Sequence, residues 1–206
     1  MWRKSPPTST TVSVSRPAPF PRFWAAPLIA ALTVVAAACG SPAAPPTPVG
    51  DAPLDEQAVL LLLTVADLEA AGAQTDGLEV RVEDLRALAE AVDAEQVREI
   101  RSWYGLHFER AAPVNGLSLT LLDFDSAERA QRQLDVIESG PAFEPMADPI
   151  GDRSASAGPS GGVGAAVAFV DGRRLVTLHS IAIGGAEALV APGQLEELAR
   201  LVERRL

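Results

Sequence analysis

Between Ser102 and Leu121 the side chains alternate. Tyr104, Leu106 and Phe108 fall on one side of an extended chain, and Trp103, Gly105 and His107 on the other. The run "LSLTLLDF" returns with Leu117, Leu119 and Leu121 on one side and Ser118 and Thr120 opposite. Asn115-Gly116 lies between them and is the dipeptide that tight hairpin turns favour most, so the spacing predicts a β-hairpin. The pattern recurs downstream, where "VGAAVAFV" and "RRLVTLHSIAI" read as two strands joined at Asp171-Gly172.

Elsewhere the period lengthens to that of a helix. Asp55 to Gly72 is dense in leucine and alanine, with a restart at Thr64, where Thr64 and Asp67 have capping-box spacing and Gly72 is the stop. Val82 to Val92 has helical spacing at Leu85, Leu88 and Val92, and a shorter helix follows from Asp93, with Gln96 three residues on. "DSAERAQRQLDVIESGP" is the best-marked helix. Asp125 is its expected cap, Glu128 completes the box, Ala127, Ala130, Leu134 and Ile137 form the stripe, and Gly140-Pro141 ends it. "GQLEELARLVERRL" puts Leu195, Leu198, Ala199 and Val202 on one face, with Glu196 and Glu197 early and Arg204 and Arg205 late, as a helix dipole favours. Residues 141–162 read as a loop, long enough to be either a lid or disordered.

These elements compose an α+β domain. The expectation is an antiparallel sheet of about four or five strands built from two consecutive β-β-α units. Helices pack on one face of it, behind a helical N-terminal lead-in.

The start of the chain has a different character. Arg3, Lys4, Arg16 and Arg22 precede an uncharged apolar run from Trp24 to Ala38, short of the roughly 20 residues a spanning helix needs. "AAAC", Ala36 to Cys39, resembles the bacterial lipobox, with Ala36 where that motif usually carries leucine. The resemblance implies cleavage before Cys39, a diacylglyceryl thioether on its sulfur and, in many bacteria, acylation of the new amino terminus. Residues 1–38 are then a lipoprotein signal peptide, 39–53 a proline-rich tether and 54–206 one extracytoplasmic domain. Two acyl chains give stable membrane residence where one is marginal. Cys39 is the chain's single cysteine, so the fold holds together without an internal disulfide.

Charge narrows the partners. The net charge is −10, yet the first 38 residues carry cations and no acid, so the domain is the more acidic part. Such a body repels phosphate backbones, and nucleic acid is excluded as a partner.

The succession "FDSAERAQRQL", "IGDRSA", "VAFVDGRRLVTLH" and "LEELARLVERRL" resembles the α+β domains of uncharacterised secreted bacterial lipoproteins. It is loosely similar to the extracellular sensor domains of bacterial membrane kinases. The resemblance covers about the last half of the chain and implies a ligand- or partner-binding module without catalysis.

Motifs of chemistry are few. "GPSGG", Gly158 to Gly162, matches the form of a nucleophile elbow around Ser160, but a strand follows where that motif needs a helix. Asp123 and Asp125 lack the remainder of a calcium loop. His107 and His179, without a matched carboxylate spacing, do not make a zinc site, and no cofactor motif is present. Alternation instead places Trp103, His107, Thr120, Thr177 and His179 on one sheet face, a candidate binding face or an ordinary solvated one. The expected function is that of a non-enzymatic, lipid-anchored binding or accessory lipoprotein on the extracytoplasmic side of a cell membrane. Its partners would be the membrane, through lipid on Cys39, and a small ligand or envelope protein. The alternatives are an envelope assembly factor, favoured by a large exposed apolar patch, and an envelope hydrolase, which needs Ser180 or Ser160 beside a histidine and an acid.

Overall fold

The computed structural model of the chain describes residues 54–90, 97–112, 114–159, 163–184 and 186–206. The signal segment, Cys39, the tether, Val92, Asp93 to Gln96 and Ser160 lie outside the described residues. In chain order the elements are α1 (Glu56–Leu62), α2 (Val65–Ala70), β1 (Glu79–Asp84), α3 (Leu85–Glu90), β2 (Ile100–Ala111) and β3 (Val114–Phe124). There follow α4 (Ala127–Glu138), β4 (Glu144–Pro145), β5 (Arg153–Ala157), β6 (Val163–Asp171), β7 (Arg174–Ala182) and α5 (Pro192–Glu203).

All the strands join one seven-stranded antiparallel sheet in the order β1-β2-β3-β7-β6-β5-β4. The two long hairpins meet along β3 and β7, which puts the longest apolar strands at the centre. The domain is α+β, but the expected count of four or five strands is corrected to seven. Both larger omissions have physical causes. β1, "EVRVED", alternates cleanly but runs into helically spaced leucines, and the boundary is Asp84, whose carboxylate accepts the Ala87 N–H at 3.0 Å. β5, "RSASA", lacks the β-branched and aromatic residues that mark a strand. It is buried nonetheless, and Ser154 pairs with Phe169, a small residue beside a large one.

The helices do not all lie on one face, a second correction. Leu106, Phe108, Leu117, Leu119, Leu121, Val167, Phe169, Val176 and Leu178 point to a first face. Val59 and Leu62 of α1, Leu68 of α2, and Leu195, Leu198, Ala199 and Val202 of α5 cover it. Ala168, Val170 and Leu175 point to the second face, where Ala130 and Leu134 of α4 pack with Phe124. β6 is therefore buried on both sides, which is why it reads as a continuous apolar run. Each fully buried large side chain contributes about 1.5–3 kcal/mol relative to exposure.

Local signals fared unevenly. Ala111 pairs with Val114 and Asn115 with Arg110, so the first hairpin reverses before Asn115-Gly116. Asn115 is buried and its amide donates to the Glu187 carbonyl at 2.9 Å. A Cβ at Gly116 would lie 2.6 Å from the Phe108 carbonyl oxygen, so glycine is needed there for close approach. In the second hairpin Asp171 pairs with Arg174, moving the reversal one residue on, to Gly172 and Arg173. Ser126, not Asp125, stands at the start of α4, without a side-chain cap. Asp123 is fully buried and accepts from Arg173 Nε at 2.7 Å.

Thr64 does restart the lead-in. Its hydroxyl accepts the Asp67 N–H at 3.3 Å, and the Asp67 carboxylate accepts the Thr64 N–H at 2.8 Å. Arg205, beyond the end of α5, donates to both Asp67 oxygens at 2.6 and 2.8 Å and to the Leu62 carbonyl at 3.1 Å. One guanidinium thus ties the last turn of the fold to both lead-in helices. Burial raises the Asp67 carboxyl, but the bonds from Arg205 and Thr64 outweigh it and hold it below the ordinary carboxylate value. Asp67→Asn is expected to cost roughly 2 kcal/mol at pH 7. A depressed acid stabilises above its unfolded value and loses that contribution as pH falls through the folded one, so the gap to wild type should narrow below about pH 4. Urea midpoints for both proteins at pH 7 and pH 3 check this.

Candidate functional site

The register arranges the second face in rows across the sheet. One row runs Arg81, His107, Ser118, His179, Ala166 and Ala157. The next runs Glu83, Gly105, Thr120, Thr177, Ala168 and Ala155. Leu122, Leu175 and Val170 follow in the row under α4, where Arg153 of β5 reaches Asp135 at 2.8 Å and also Glu138. In the opposite direction lies the row Glu79, Glu109, Gly116 and Ile181. The helix covers one half of the face, and the half toward the first hairpin carries the polar rows.

Trp103, His107, Thr120, Thr177 and His179 are all half-buried on this face. His107, Ser118 and His179 are direct cross-strand neighbours, as are Thr120 and Thr177. Trp103 stands further along β2, opposite Leu122, and its indole N–H is buried without a partner among the described residues. Ser180, next to His179 in the chain, points to the other face, where its hydroxyl donates to the Val190 carbonyl at 3.1 Å and away from both histidines.

The serine beside a histidine is Ser118. Its Oγ lies 3.1 Å from His107 Nδ1, and His107 Nε2 lies 3.6 Å from a Glu83 carboxylate oxygen. With the proton on Nε2, facing the acid, Nδ1 accepts the Ser118 hydroxyl; this tautomer follows from the hydrogen-bond logic. The Nε2 contact is longer than a hydrogen bond. Gly105 makes the arrangement fit, because a Cβ there would lie 2.7 Å from His107 Nε2 and 3.2 Å from Leu85 Cδ1. Acyl transfer would also need amide donors for an oxyanion. Ser118 sits in β3 with β2 on one side and β7 on the other, so its neighbouring amides belong to the ladders. Among the described residues no group of three metal-binding side chains converges.

Sequence reasoning missed Glu79 and Glu83 because it missed β1, although the alternation Glu79-Val80-Arg81-Val82-Glu83 carried the signal. It also missed a groove of about 370 Å³ at the hairpin end of the second face. Glu79, Glu109, Ala111, Val114, Gly116, Ser118, Ile181 and Ile183 contribute to its lining. Val114, Ile181 and Ile183 stay 48%, 37% and 59% exposed, so apolar surface faces solvent beside the polar rows.

No family model matches the chain, and no curated protein matches it. Among solved structures it is similar to the extracellular domain of PknH from Mycobacterium tuberculosis. The identity is 12% and the TM-score 0.44, over 75% of this chain and 97% of that one. Among the described residues no helix is long and apolar enough to cross a membrane.

Burial lowers both histidines below their ordinary value. For His107, Glu109 and Glu83 oppose that effect and Arg81 adds to it. The folded protein then takes up these protons less readily than the unfolded chain. Stability should be complete above about pH 6.5 and fall as pH drops below it. Replacing both histidines by glutamine should flatten this dependence between pH 7 and pH 5 in a urea-midpoint series; an equal slope in both proteins would contradict it. Gly105→Ala should displace the His107 ring, cost about 1–3 kcal/mol and move the His107 titration upward, as followed by imidazole NMR.

Proposed function

We propose that this chain is a lipid-anchored, extracytoplasmic binding or accessory lipoprotein that performs no catalysis. The observation that carries the reading is the open half of the second face, where the groove adjoins the row of His107, Ser118 and His179. Antiparallel sheets often leave one face wet, but here burial and an apolar groove set this region apart from a plain solvated surface. Anchoring is supported by "AAAC" and by the proline-rich composition of the segment after it, which suits a tether. The hydrolase reading is weaker, since Ser118 lies within a strand paired on both sides, whose own amides are taken by the ladders.

Two outcomes test this. The wild-type chain expressed in a bacterial host should fractionate with membranes and incorporate labelled palmitate, and Cys39→Ser should lose the label. Labelling that survives Cys39→Ser would end the anchoring part. Native mass spectrometry of the protein released from its own envelope should show a retained mass that Ile183→Asp abolishes. A retained mass indifferent to Ile183→Asp would move the site elsewhere.

A further inference from the structure

The floor of the groove includes one residue without a side chain. Gly116 occupies the lattice position between Glu109 on β2 and Ile181 on β7, so the row there is interrupted over bare backbone. Val114, Ile181 and Ile183 form apolar walls. At about 370 Å³ the space lies near the lower end of small-ligand sites.

The remaining wall is acidic. Glu79 and Glu109 stand opposite each other on β1 and β2, with Arg81 nearby as a local cation. Arg81 is already engaged by Glu83 and, at 3.6 Å, by Glu109. Arg110 also lines the groove, with its guanidinium turned to the Gln74 carbonyl, so the two carboxylates of the lining face one cation there. Glu79 has no ion-pair partner among the described residues, so one carboxylate beside an apolar floor is left unanswered. At the inner end, with the His107 proton on Nε2, the Ser118 hydroxyl donates a hydrogen bond to Nδ1, which leaves its oxygen able only to accept. The lining keeps one carboxylate in excess over its cation, and the chain's net charge of −10 raises the local concentration of cations.

We propose that the groove takes a small amphiphilic amine, its ammonium against the Glu79 and Glu109 wall and its apolar body over Gly116 between Val114, Ile181 and Ile183. This rests on the reading of the groove as the binding site. The fit is one of charge complementarity joined to apolar contact, and an anionic ligand of the same shape is disfavoured.

The test uses the full chain held in lipid nanodiscs, with the methyl groups of Ile181 and Ile183 as site-specific NMR reporters. The probes are cyclohexylmethylamine, cyclohexylmethanol and cyclohexanecarboxylate, which share one apolar body. The amine should shift both methyls with an affinity about three- to fivefold above the alcohol, the carboxylate should be weakest, and Glu79→Gln should bring the amine down to the alcohol. Equal affinity for amine and alcohol, or a preference for the carboxylate, would overturn the ligand class while leaving the groove a binding site. No methyl shift with any probe would overturn both.

Discussion

A sheet with apolar strands at its centre has two faces to cover, and this chain has helices enough for one and a half. α1, α2 and α5 cover the central strands of the first face, while Val80 at its β1 edge stays exposed, and α4 covers the second over Leu175, Val170 and Ala168. Everything distinctive about the domain follows from that shortfall. Where a helix lies overhead, residues pointing to the second face are leucine, valine and alanine. Away from it lie Ser118, Thr120, Thr177, His107 and His179, and beyond them the exposed apolar Val114 and Ile181.

The polar rows are organised by packing. Gly105 yields room for the His107 ring, Glu83 on the neighbouring strand faces one ring nitrogen, and Ser118 satisfies the other. Serine, histidine and acid side by side suggest hydrolysis, yet the strands that hold them also claim the amides a tetrahedral intermediate would need. The same geometry suits recognition, because the rows end at a groove whose floor is Gly116 and whose walls are Ile181 and Ile183. Structural demand and candidate function coincide at Gly116: it lets the Phe108 carbonyl approach closely and it interrupts the side-chain lattice.

Much of this was legible in the sequence where one period ran long enough. β2, β3 and β7 show in their alternation, β6 in its continuous apolar run, α4 and α5 in their stripes, and the restart at Thr64 in its capping spacing. The common face of Trp103, His107, Thr120, Thr177 and His179 was equally legible, since period two fixes sides once strands are placed. Four things were not. Ser154 and Ala155 pass for loop because burial, not propensity, makes β5 a strand. Asn115-Gly116 looks like a turn because the needs of a turn and of close backbone approach select the same glycine. The placement of α4 opposite α5 depends on which side of the sheet each connection crosses, and the groove depends on register across strands distant in sequence.

The second face of the sheet is covered beneath α4 and open toward the first hairpin. A soluble gadolinium chelate that broadens NMR signals of exposed methyl groups reads this directly. Methyls of Val114, Ile181 and Ile183 should broaden strongly, while those of Val170 and Leu175, on the same face beneath α4, should stay sharp. Uniform protection of all five, or uniform broadening, would contradict the account.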